Sequence, residues 1–139
     1  MPASSLLDIL LVEDDPGDIR LIKEMLREAP MRTNVSVAKD GMQALAWLKR
    51  TGSFAHAPRP DLVLLDLNLP KLNGQDVLEE MKHDAELSQI PVVVLTTSSR
   101  EQDVATTLSG GAATYLMKPL DLDTFLLALE RLGPPTHSA

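Results

Sequence analysis

Short unbroken apolar runs alternate along this chain with longer segments in which apolar positions recur at helical spacing. Asp8-Ile-Leu-Leu-Val12 is apolar almost throughout and stops abruptly at Glu13-Asp14-Asp15. Such a run predicts a strand buried on both faces, as a parallel sheet requires. Pro16 suits the first turn of a helix, with Asp15 before it as N-cap. Ile19, Ile22 and Leu26 give that helix an inward face, and Ala29-Pro30 ends it. Asn34 to Ala38 alternates weakly and predicts a second strand. Asp40-Gly41 then leads into a helix reaching about Arg50, with Leu45 and Leu48 as core contacts.

The stretch from Thr51 to Pro60 carries loop and breaker residues. Asp61-Leu-Val-Leu-Leu-Asp66 predicts a third buried strand, again ending at a carboxylate. Asn73-Gly74 opens a short helix to about Lys82, followed by a polar loop. Pro91 to Leu95 is a fourth strand, terminating in Thr96-Thr97-Ser98-Ser99. A Thr-rich helix is expected from Glu101 to Ser109, closed by Gly110-Gly111. Ala113 to Met117 forms a fifth strand before Lys118-Pro119, and a last helix starts near Leu122 with Phe125, Leu126 and Leu129 on one face. Five strands alternating with five helices predict an α/β fold, one parallel sheet with helices on both faces. No repeat, low-complexity tract or internal linker interrupts the 139 residues, so one domain is expected.

Composition narrows the function. The net charge of −7 disfavours direct duplex-DNA binding, which needs a basic face, and 3% aromatics gives little to stack on single strands. The absence of cysteine excludes disulfides and thiolate chemistry. No apolar run approaches the roughly 18 residues of a membrane span, and the N-terminus lacks a signal-peptide pattern. Cytoplasmic residence is expected.

In a parallel sheet all strands end on one edge, and ligands bind there beside the switch in strand order. That edge would receive Glu13 and Asp14 from strand one, Asp66 from strand three, Thr96 from strand four and Lys118 from strand five. Singly, each is ordinary: an Asp after a strand starts loops, a Thr makes turns, and an acidic run is usually a solvated cap. Together at four strand ends they predict a site. Clustered carboxylates repel one another and call for a cation. All-oxygen ligands favour a hard ion, Mg²⁺. Asp66 could then attack phosphorus as a carboxylate nucleophile, with Lys118 neutralising charge on the transferring oxygens.

This pattern resembles the receiver domains of two-component signalling, the CheY-like family, over about Leu7 to Leu132, leaving tails at 1–6 and 133–139. Leu-Leu-Val-Glu13-Asp14 resembles the family's acidic pair, and Leu-Leu-Asp66-Leu-Asn-Leu-Pro70 its phosphoacceptor strand and loop. Gly74 falls where the family opens the next helix with Gly. Val-Leu-Thr96 matches the switch hydroxyl, and Tyr115-Leu-Met-Lys118-Pro119 the strand-five signature. The resemblance implies a flavodoxin-like (βα)5 fold with strand order 2-1-3-4-5. It implies Mg²⁺ bound by Asp14 and Asp66, by the Asn68 backbone carbonyl, and by Glu13 directly or through water. Thr96 would hydrogen-bond a phosphoryl group carried on Asp66, Lys118 would pair with it, and Tyr115 would turn inward, coupled to Thr96. The peptide before Pro119 would be cis. Thr97 stands where the family often has Ala, which would narrow access to the phosphoryl group.

The donor would be a sensor histidine kinase, and the signal would pass to a downstream protein, since few residues remain after Leu132 for an output domain. The loop from Gly52 to Pro60 is longer than in chemotaxis receivers and resembles stand-alone receivers associated with bacterial and cyanobacterial phytochromes. That subgroup implies a phytochrome-type kinase and a homodimer. Leu127, roughly 140° around the last helix from Leu122, is a candidate contact, although isolated exposed leucines are common.

Two other classes fit less well. A dehalogenase-like phosphatase or phosphotransferase wants a second Asp two residues after the nucleophile, where this chain has Asn68. A receiver reduced to a pure binding module would have lost side chains that are all present. His56, His83 and His137 are scattered, and no Walker motif supports nucleotide binding.

Overall fold

The computed structural model of the protein describes residues 6–67, 69, 73–97 and 110–132. Its elements in chain order are β1 (Leu6–Val12), α1 (Pro16–Arg27), β2 (Arg32–Ala38), α2 (Gly41–Lys49), β3 (Leu62–Asp66), α3 (Gly74–Lys82), β4 (Val92–Thr96), β5 (Thr114–Met117) and α4 (Leu122–Leu132). The five strands form one parallel sheet in the order β2-β1-β3-β4-β5. The helix expected from Glu101 to Ser109 lies outside the described residues.

The apolar runs are unbroken because each strand feeds two cores. Successive side chains point to opposite faces. Leu10, Val12, Val63, Leu65, Val92 and Val94 therefore pack with Ala44 and Leu48 of α2 and with Val77, Leu78 and Met81 of α3. Ile9, Leu11, Leu62, Leu64, Val93 and Leu95 pack on the other face with Ile22 and Leu26 of α1 and with Phe125 and Ala128 of α4. Helix starts are fixed by side chains at their N-caps. Asp15 accepts from the N–H of Asp18, Asp40 from Gln43 and Asn73 from Asp76. Caps of this kind contribute about 1 kcal/mol each.

β1 and β2 start two residues earlier than their apolar runs, at Leu6 paired with Arg32. Polar residues are tolerated there because they satisfy one another. Asp8 and Asn34 lie in register and bond through the Asn34 amide at 2.9 Å. The buried Asp61 accepts from the Asp8 N–H at 2.8 Å and its own N–H donates to the Asp8 carbonyl, tying β1 to the start of β3.

Two stretches read as loops contain 3₁₀ turns, at Gly52–Phe54 and Leu87–Gln89. In the first, Trp47 packs on Phe54 with ring centroids 5.2 Å apart and donates its indole N–H to the Pro58 carbonyl. The chain reaches this turn through left-handed backbone at Arg50 and Gly52. In the second, Asp84 accepts from the N–H groups of Glu86 and Leu87, which seats Leu87 in the core.

Candidate functional site

Strand order reverses at β1, whose neighbours are β2 on one side and β3 on the other. The C-terminal ends of β1 and β3 flank the resulting crevice, where parallel sheets bind ligands. Glu13 follows β1 directly, held by its N–H to the Ala38 carbonyl at 3.0 Å. Asp66 is the last residue of β3. Both are buried, Glu13 at 1% exposure and Asp66 at 6%, whereas Asp14 is exposed. Glu13, Asp14 and Asp66 each present a carboxylate oxygen, and these oxygens lie within 4.8 Å of one another.

Lys118 enters from two strands away. Its N–H donates to the Thr96 carbonyl at 2.8 Å, extending the pairing of β4 with β5 one residue past Met117. The Lys118–Pro119 peptide is cis. The ammonium donates to Glu13 Oε1 at 2.6 Å, to Asp18 Oδ2 at 2.9 Å and to Asp66 Oδ2 at 3.0 Å. Three partners match its three donors.

Burial is the largest influence on both ends of this cluster. It pushes the Glu13 carboxyl up to about 7, helped by the hydrogen bond and charge of Asp66 and opposed by the Lys118 hydrogen bond. For Lys118 burial works against the charge, but the hydrogen bonds to Glu13, Asp18 and Asp66 outweigh it and hold the group above the ordinary lysine range. The ammonium is therefore a fixed positive charge.

Asp66 is placed by a close backbone approach. Gly74 donates its N–H to the Leu67 carbonyl at 3.1 Å. A Cβ on Gly74 would lie 2.6 Å from both the Asp66 carbonyl oxygen and Leu67 Cα. Thr96 ends β4, and Tyr115 is half-buried in β5. Tyr115 pairs with Val94, two residues before Thr96, so Thr96 and Tyr115 lie on one face of the sheet, a diagonal step apart. Leu127 is 55% exposed. Asn68 and His137 fall outside the described residues, and His56 and His83 are exposed.

Asp18 is the site residue that the strand-end argument misses. It sits in the first turn of α1, and a helix that follows a strand begins at the same sheet edge where the strand ends. That signal was available in the sequence. The donor set, all carboxylate oxygens beside one ammonium, fits a hard divalent cation such as Mg²⁺ and a reaction that moves negative charge.

Residues 9–130 match the family described as response regulator receiver domain. The chain is 45% identical over 114 residues to Response regulator Rcp1 of Synechocystis sp., covering 82% of this chain and 78% of that protein. The crystal structure of the Mn²⁺-bound form of Rcp1 superposes with a TM-score of 0.78 at 40% identity, covering 96% of each chain. That of the phosphorylated cyanobacterial phytochrome response regulator RcpA gives 0.80 at 41% identity, covering 97% of each. Among the described residues no helix is long and apolar enough to cross a membrane.

Proposed function

The chain belongs to the response regulator receiver domain family, and from that premise we propose that it accepts a phosphoryl group on Asp66 from a sensor histidine kinase. The observation that carries this reading is the arrangement around Asp66, a buried carboxylate 3.0 Å from the Lys118 ammonium. Glu13 and Asp14 present their oxygens within 4.8 Å of it. An Asp66 oxygen attacks the phosphorus of the donor, the bond from phosphorus to the donor nitrogen breaks, and an acyl phosphate forms on Asp66. Lys118 pairs with the incoming oxygens, and burial strengthens that pairing.

Glu13, Asp14 and Asp66, with the Asn68 carbonyl, would hold Mg²⁺. When bound, the cation supplies the charge neutralisation that three carboxylates and a phosphoryl group together require. Support comes from the donor set itself and from the metal-bound form of the similar Rcp1.

Phosphorylation adds roughly two negative charges at one strand end. Thr96 would turn to donate its hydroxyl to the new oxygens, and Tyr115, on the same sheet face, would move into the space released. The changed surface around β5 then binds a downstream protein, with a homodimer as the assembly in which it acts. A phytochrome-type kinase is the proposed donor, because RcpA, similar over nearly its whole length, is a phytochrome response regulator.

The test is transfer from an autophosphorylated phytochrome-type histidine kinase labelled with ³²P. Label should leave the kinase and appear on this chain in Mg²⁺, and should not appear on Asp66→Asn. Transfer to Asp66→Asn at the wild-type rate would overturn the assignment.

A further inference from the structure

Two of the three carboxylates that hold Lys118, namely Glu13 and Asp66, belong to the set that can hold a divalent cation. Asp18, at 2.9 Å, is the third and stands outside that set. When a cation draws on the charge of Glu13 and Asp66, it also repels the ammonium beside them. Asp18 is then the partner whose charge is still given to Lys118.

Asp18 is well placed for this. Its N–H is tied to the Asp15 side chain at 2.9 Å, which fixes it in the first turn of α1. Its carboxylate reaches across to the end of β5, bridging 100 positions of sequence. Asp18 and Lys118 line one cleft of about 120 Å³ with Leu21, Ile22, Pro119 and Leu120, whose apolar side chains offer the ammonium no alternative acceptor there.

We propose that Asp18 is a positioning residue that keeps the Lys118 ammonium beside Asp66 while a divalent cation and the phosphoryl group are both present. The inference rests on the phosphoacceptor reading above. With Asp18 engaging one of the three ammonium donors, another stays aimed at Asp66 and, after transfer, at the phosphoryl oxygen attached there. Without Asp18 the ammonium can swing toward solvent and the transferred group loses the Lys118 cation beside it. An ordinary first-turn acidic residue would favour the helix dipole and affect stability, but it would have no effect on Lys118.

The experiment is trace acetylation of lysines in the Mg²⁺-loaded 139-residue chain, read by peptide mass spectrometry, on wild type, Asp18→Asn and Asp18→Glu. Incorporation from acetyl phosphate is timed on the same samples. The expected result is that Asp18→Asn raises labelling of Lys118 and slows incorporation, each by roughly two- to fivefold, the range of a partly exposed ion pair. Lys23, Lys49 and Lys82 should label as in wild type, and Asp18→Glu, which keeps the charge, should recover most of the effect. Unchanged labelling of Lys118 in Asp18→Asn would overturn the proposal, as would raised labelling with an unchanged rate. If wild type took no phosphoryl group at all, the phosphoacceptor reading would fall, while the labelling would still decide whether Asp18 places Lys118.

Discussion

Glu13 and Asp14 are neighbours in sequence with opposite surroundings, one buried and one exposed. Burial decides how Glu13 titrates. Burial pushes Glu13 up to about 7 from an ordinary 4.5. Between those values the folded protein keeps a proton that the unfolded chain has released, so cation-free stability should fall as pH rises from about 4.5 to about 7 and then level off. Lys118 stays charged across this window and adds no slope. Urea midpoints measured from pH 4.5 to 8 in a chelator should show the decline in wild type and a flatter profile in Glu13→Gln. An equal slope in both would contradict the burial argument. The carboxylates and Lys118 were legible in the sequence because they follow apolar runs that can only be buried strands. Asp18 was missed although its first-turn position marks the same sheet edge, because its partner lies 100 residues away and its own helix already gives it an ordinary first-turn role.

At the scale of elements, the strands and the N-capped helices follow from local chemistry. Asp15, Asp40 and Asn73 each cap the helix that their position in the sequence suggests. The early starts of β1 and β2 did not follow, since Asp8 and Asn34 are poor strand residues until each supplies the other's hydrogen bond. The 3₁₀ turn at Gly52–Phe54 was hidden for a similar reason: it depends on Trp47, whose role is set by tertiary packing. The α3 start is the element most tightly coupled to the site. Gly74→Ala would bring a Cβ against the Asp66 carbonyl and Leu67 Cα, both backbone atoms that cannot step aside cheaply. We expect it to cost about 1–3 kcal/mol, as overpacking does, and to weaken Mg²⁺ binding by shifting Asp66. Chemical denaturation and calorimetric titration would show both; a wild-type midpoint would contradict the close approach.

Over the whole molecule, a sheet with a core on each face leaves its C-terminal edge as the natural place for chemistry. Four strand ends bring acid, hydroxyl and ammonium there from positions up to 105 residues apart. That the sheet is parallel and that its strand ends converge could be inferred from the alternation of elements, because few topologies satisfy it, whereas the strand order followed from the family resemblance. The surface that would carry the signal onward could not, since exposed residues such as Leu127 look alike whether or not a partner covers them. The account stands or falls on Asp66 as phosphoacceptor. The most direct measurement is intact-protein mass spectrometry after incubation with acetyl phosphate, with Mg²⁺ or with chelator, on wild type and Asp66→Asn. The account predicts one added phosphoryl mass in wild type with Mg²⁺ and none in the other samples. An adduct of equal yield on Asp66→Asn, or none on wild type under conditions that label a known receiver, would contradict it.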